Sequence, residues 1–176
     1  TACVIAANLA EVLGDTGQKI EAIKVLNEVL KHFPDFTEGW NNLGTLYLGL
    51  DRFDEATAAY KKCRALSPDN MIVANNLAAA FLKSGHPEKS LALYQKNLTT
   101  WPDQADTLSG LGNVLVSLES FDDAIEAYTS AIELSPENLD ALHGRAVANH
   151  RRASMFGGTE YYSAALKDYH EILIRD

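Results

Sequence analysis

Residues 37–70 read TEGWNNLGTLYLGLDRFDEATAAYKKCRALSPDN. Trp40, Leu43 and Tyr47 are followed by Ala56, Tyr60 and Cys63. Spacings of three, four and seven lay apolar groups along one face of a helix, and here they do so twice in succession. The stretch is therefore expected to be a helical hairpin. The small residues Gly44 and Ala56 let the two backbones approach, while Tyr60 fills space toward a neighbouring unit. Pro68 ends the second helix because proline cannot continue one, and Asp69 suits the start of the next.

The same beat runs outward in both directions. Pro34, Pro68, Pro102 and Pro136 lie 34 residues apart, and Pro87 alone stands outside the series. At that period Leu9, Leu43, Leu77 and Leu111 share a column, followed by the small residues Ala10, Gly44, Ala78 and Gly112. Further columns are Leu13, Tyr47, Phe81, Leu115; Ala22, Ala56, Ser90, Ala124; and Leu26, Tyr60, Tyr94, Tyr128. The acidic residues Asp35, Asp69, Asp103 and Glu137 each follow a proline of the series.

This pattern resembles the tetratricopeptide repeat, a 34-residue helix-turn-helix unit with W-x2-L-G-x2-Y, then A-x3-F, then P. Trp40, Leu43, Gly44, Tyr47, Ala56, Tyr60 and Pro68 carry the resemblance. It covers nearly the whole chain as a single array of repeats at 3–36, 37–70, 71–104, 105–138 and 139–176. The resemblance implies an all-α fold, a right-handed superhelical solenoid of antiparallel helix pairs. One hairpin cannot bury its apolar face alone, so stacking supplies the core. Truncating Tyr60 or Leu111 to Ala should cost about 2 to 5 kcal/mol.

The fifth repeat departs from the beat. Leu142 and Ala146 are in register, but the small-aromatic pair arrives seven residues late, as Ala165 and Tyr169. Seven residues are about two helical turns. Shared between both helices, they lengthen the hairpin, with Met155-Phe156-Gly157-Gly158 at its tip and Thr159 as N-cap; a loose loop there is the other reading. Arg145 takes the leucine column. The shifted facing column, apolar in Val25, Ala59, Leu93 and Ala127, holds Asp168. A buried guanidinium needs a partner, so an Arg145–Asp168 structural ion pair is expected.

In the family that the pattern resembles, the first helix of each repeat lines a concave groove where ligands sit. Asn8, Asn42 and Asn76 recur there at one column, preceded by Asn41 and Asn75. An asparagine offers both donor and acceptor and can hold the main chain of an extended peptide. This is similar to the asparagine ladder of the O-linked N-acetylglucosamine transferase superhelix. The expected partner-binding set is Asn8, Asn41, Asn42, Thr45, Asn75, Asn76, Lys83 and Asn113, with Trp40 counted mainly as core. Groove positions Glu11, Asp15, Glu38, Asp106 and Asp140 favour basic residues in a ligand near the first two repeats. The two-carboxylate clamp for acidic chaperone tails is absent, since its places hold Ala7, Glu11, Asn42, Ile72 and Asn76.

Fifteen Lys and Arg against 24 Asp and Glu give a net charge of −9, which argues against nucleic acid as partner. No apolar run is long enough for direct membrane insertion. Cys3 and Cys63 read as free thiols, pointing to the cytoplasm or another reducing intracellular compartment. No phosphate loop, nucleophile elbow or HExxH occurs, so neither catalysis nor a cofactor is expected. His143 and His150, seven apart, read as surface residues rather than metal ligands, and the Asn97-Leu98-Thr99 sequon falls within a helix. The opening Thr1 suggests a piece of a longer protein. The expected role is a non-catalytic protein-protein interaction scaffold that binds a partner segment in the groove. Beside it stand an architectural segment with end-to-end self-association through uncapped apolar ends, and the recruiting arm of an enzyme.

Overall fold

The prolines of the series stop helices. In the computed structural model, which describes residues 2–175, helices end at His32, Leu66, Thr100 and Leu134, two residues ahead of Pro34, Pro68, Pro102 and Pro136. A residue before proline is pushed out of helical backbone, and Phe33, Ser67 and Ser135 sit at φ −131°, −139° and −142°. The helices are α1 (Ala2–Asp15), α2 (Lys19–His32), α3 (Thr37–Leu48), α4 (Phe53–Leu66), α5 (Met71–Lys83), α6 (Pro87–Thr100), α7 (Ala105–Ser117), α8 (Phe121–Leu134), α9 (Leu139–Phe156) and α10 (Thr159–Arg175). No strand occurs among the described residues. Pro87 is the first residue of α6, where its missing N–H costs nothing and its fixed φ suits the helix.

The fold is all-α and divides into two compact units between His86 and Pro87. In the first, α1–α2 and α3–α4 are hairpins, α2 packs on α3, α4 on α5, and α1 lies beside α3. In the second, α7–α8 and α9–α10 are hairpins, α6 packs on α7, α8 on α9, and α7 lies beside α9.

Local chemistry sets each turn. Gly17, Asp51, Gly85 and Glu119 occupy one repeat column, and all have positive φ, at 81°, 57°, 78° and 61°. The left-handed residue lets the next N–H fold back: Gln18, Arg52, His86 and Ser120 donate to the carbonyls of Leu13, Tyr47, Phe81 and Leu115 at 2.7 to 2.9 Å. Only glycine accepts that backbone without strain, so Asp51 and Glu119 hold it at a cost. At the helix starts, Asn70 accepts from the Val73 amide and Asn138 from the Ala141 amide, capping α5 and α9. The acidic residues after the prolines lie outside these caps.

In the first unit Ala10, Ala22, Ile23, Leu26, Leu30, Leu43, Leu46 and Ala59 form the core, with Trp40 and Tyr47 against it. The Trp40 indole donates to the Pro34 carbonyl at 2.8 Å. The Tyr60 ring lies on Gly44 of its own hairpin, where an added Cβ would meet it at 2.6 Å. Tyr128 in the second unit is wedged between Gly112 of its own hairpin and Gly144 of the next, where a Cβ would meet the ring at 2.7 and 2.4 Å. The aromatic column thus packs within a hairpin as well as toward its neighbour. Each such side chain, fully buried, contributes roughly 1.5 to 3 kcal/mol.

The last hairpin is longer in both helices. α9 has 18 residues against 13 in α7, and α10 has 17 against 14 in α8. The connection shrinks to Gly157 and Gly158, at φ 80° and 108°. Arg152 braces this tip: it donates to the Gly157 carbonyl at 3.1 Å and to Asp122 at 2.9 Å, and its guanidinium lies 3.8 Å from the Tyr161 ring centre. Thr159, expected as the N-cap, is itself the first residue of α10.

Candidate functional site

The groove candidates of the first unit stand on α1, α3 and α5. Asn76 Nδ2 donates to Asn41 Oδ1 at 3.1 Å, tying α5 to α3 through two half-buried amides. Thr45 Oγ1 donates to the Asn41 carbonyl at 3.2 Å and lies 3.0 Å from the Tyr60 hydroxyl. Asn75 is half-buried. Asn8 is exposed and Asn42 half-buried, and neither side chain is hydrogen-bonded among the described residues. Two of the asparagines are thus used between helices, while Asn8 and Asn42 present unspent amides.

Asn42 opens into a cavity of about 530 Å³ between α1 and α3, lined also by Glu11, Asp15, Glu38, Thr45 and Lys19. Glu11, Asp15 and Glu38 make no ion pair among the described residues. Lys19 Nζ is turned aside, donating to the Gly49 carbonyl at 2.7 Å. The cavity is therefore acidic, with a free amide on its wall. The three carboxylates are legible from the groove columns. Lys19 and the Gly49 carbonyl that closes one side are not, because Lys19 shares its column with Phe53, Pro87 and Phe121. Lys83 lines a different depression, with Asp51, Asp54 and Ser84, and does not meet Asn42 there.

In the second unit, Asn113 Oδ1 accepts from the Tyr128 hydroxyl at 2.8 Å, so its carbonyl is engaged. Burial pushes the Tyr128 hydroxyl well above the ordinary phenol range and that of Tyr94 up to about 12. Arg145 and Asp168 meet in a fork: Nε donates to Oδ2 at 2.8 Å and Nη2 to Oδ1 at 2.7 Å. Arg145 Nη1 reaches Thr129 of α8 at 3.3 Å, and Asn149 Nδ2 donates to the Arg145 carbonyl. The Asp168 hydrogen bond, outweighing desolvation, holds the guanidinium above its usual pKa.

The remaining polar candidates meet neighbours within the fold, the two histidines while still exposed. His143 and His150 lie against the rings of Tyr169 and Tyr162, at 6.1 and 6.0 Å between centres. Among the described residues no three His, Cys, Asp or Glu gather as metal ligands would. Asn97 is buried within α6. Cys63 Sγ donates to the Thr37 carbonyl at 3.2 Å, its pKa pushed up by burial; Cys3 and Cys63 are both free thiols. No described helix is long and apolar enough to cross a membrane.

Helical hairpins recurring at a 34-residue step, closed by left-handed turns and locked by rings set on glycines, define a helical-repeat protein. The tetratricopeptide repeat model matches residues 37–70, and a second repeat model of the same kind matches 112–152. Those two stretches of the chain are tetratricopeptide repeats. The chain is 29% identical over 120 residues to the tetratricopeptide repeat-containing protein trd-1 of Caenorhabditis elegans, covering 68% of this chain and 16% of that one. The chain thus spans about a sixth of that relative's length. Among solved structures, MamA superposes with a TM-score of 0.77 at 22% identity, over 97% of this chain and 93% of its own. YrrB, described as a TPR protein with an unusual peptide-binding site, superposes with a TM-score of 0.71 at 16% identity, over 97% and 89%. The chain's repeats make it a protein-protein interaction scaffold.

Proposed function

We propose that the first unit holds an extended partner segment along the faces of α1 and α3, with a lysine or arginine of that segment seated in the acidic cavity. The observation that carries this reading is the cavity itself: Glu11, Asp15 and Glu38 converge on it unpaired, beside the free amide of Asn42. An amide next to carboxylates can hold a main-chain group while the carboxylates take a cation. The peptide-binding site named for YrrB supports a peptide as the occupant. The role involves no catalytic step and no cofactor, and the free thiols fit a reducing intracellular compartment such as the cytoplasm.

Fluorescently labelled alanine-glycine decapeptides, each carrying one central Lys, Arg, Glu or Leu, test the reading by anisotropy. Lys and Arg peptides should bind more tightly than the others. Reversing charge in Glu11→Lys with Glu38→Lys should weaken them at least tenfold, with the circular dichroism unchanged. Equal binding of all four peptides would end this assignment.

A further inference from the structure

The acidic cavity between α1 and α3 also holds a cation of its own. Lys19 lines it together with Glu11, Asp15 and Glu38 and is half-buried, yet it pairs with none of the three among the described residues. Its Nζ donates instead to the Gly49 carbonyl at 2.7 Å, at the C-terminal end of α3, where the helix dipole favours positive charge. Charges of both signs thus face one cavity without being spent on each other.

Two departures from the repeat build the seat of the amine. The Lys19 column otherwise holds Phe53, Pro87 and Phe121, and the Gly49 column holds Asp15, Lys83, Ser117 and Arg151. Gly49 has an ordinary φ of −70°, so its backbone does not call for glycine. The space does: a Cβ there would meet Lys19 Nζ at 2.7 Å and Cε at 3.4 Å. The missing side chain is what lets the amine dock.

The charges follow an order along the cavity. A Cβ on Gly14 would touch Leu46, and Lys19, past the end of α1, meets Gly49, so α1 and α3 run side by side in the same sense. Glu38 and Asn42 precede Gly49 on α3 by about 16 and about 10 Å, at 1.5 Å per residue. Glu38 therefore marks one end of the cavity and the ammonium the other. That ammonium has three N–H donors, and Gly49 takes one.

We infer that the guest of this cavity is dipolar: an extended segment whose basic residue sits beside Glu11 and Glu38 carries an acidic residue three to five positions away, read by Lys19. The spacing follows from about 3.3 Å per extended residue over about 10 to 16 Å. Lys19 then determines specificity. Without it the carboxylates repel any acid on the guest; with it an acid is drawn to one end only. The inference rests on the cavity's being a seat for a basic residue.

Anisotropy with alanine-glycine peptides of thirteen residues, blocked at both ends, tests this. Each carries a central Lys and, four places before or after it, Glu or Gln. In one of the two orders the Glu peptide should bind about threefold tighter than its Gln counterpart, the scale of an exposed ion pair. Lys19→Met should remove that preference and Lys19→Arg keep it, with circular dichroism unchanged; should Lys19→Met disturb folding, Lys19→Gln replaces it. Gly49→Ala keeps the charge but fills its seat, and should weaken the preference. If no Lys peptide binds, the seat for a basic residue falls and this inference with it. If the Lys peptides bind but Glu and Gln are alike in both orders, or the preference survives Lys19→Met or is untouched by Gly49→Ala, the role of Lys19 alone is overturned.

Discussion

In the first unit two repeat positions hold Leu43 and Ala59, both in the apolar core. In the last hairpin of the second unit the same positions, after the seven-residue shift, hold Arg145 and Asp168, joined by a two-pronged ion pair. The backbone answers are alike, since both are hairpins. The repeat position therefore decides which side chains meet, and leaves open whether oil or charge holds them. Charge is the more fragile solution, because either partner alone is left stranded in a dry site.

The sharpest way to break this comparison is Asp168→Ala, which strands the guanidinium and should cost about 3 to 5 kcal/mol in urea denaturation. Arg145→Leu with Asp168→Ala restores the chemistry of the first unit and should recover most of that loss. A double variant as unstable as the single one would show that the two positions are not equivalent. Next in size is an alkaline effect from Tyr94. Burial lifts its folded pKa to about 12, above the 10.0 of a free phenol. Its contribution is complete below pH about 10 and fades as pH climbs toward about 12, at about 1.4 kcal/mol per pKa unit. Tyr94→Phe should flatten stability over that window.

Gly144→Ala would drive a methyl into the Tyr128 ring and should cost about 1 to 3 kcal/mol by thermal melting. The smallest change sharpens the comparison of turns. Asp51→Gly relieves a left-handed residue and should raise stability by up to about 1 kcal/mol, whereas Gly85→Ala at the same column should lower it by a similar amount. If both substitutions were silent, the turn column would carry no strain.

The period was legible because prolines, small residues and aromatics each repeat every 34 residues, and three independent columns leave one register. The turns were less so. Their left-handed column holds Gly17 and Gly85 but also Asp51 and Glu119, so no glycine signature marks it. The caps were hidden for a similar reason: Asn70 and Asn138 cap α5 and α9, while Phe36 and Gln104 stand at the same column without a side-chain bond. For the groove, the columns showed which asparagines share a face. They did not show that Asn76 would be spent on Asn41, because a lateral bond depends on the spacing of two helices rather than on either one.

That lateral bond has a further consequence. The tie between Asn76 and Asn41 involves no formal charge, so dissolved ions do not weaken it, whereas attraction between exposed carboxylates and a cation fades within a Debye length of roughly 8 Å at physiological ionic strength. Raising ionic strength should therefore release a basic guest while leaving its berth the same width, separating loss of grip from loss of form.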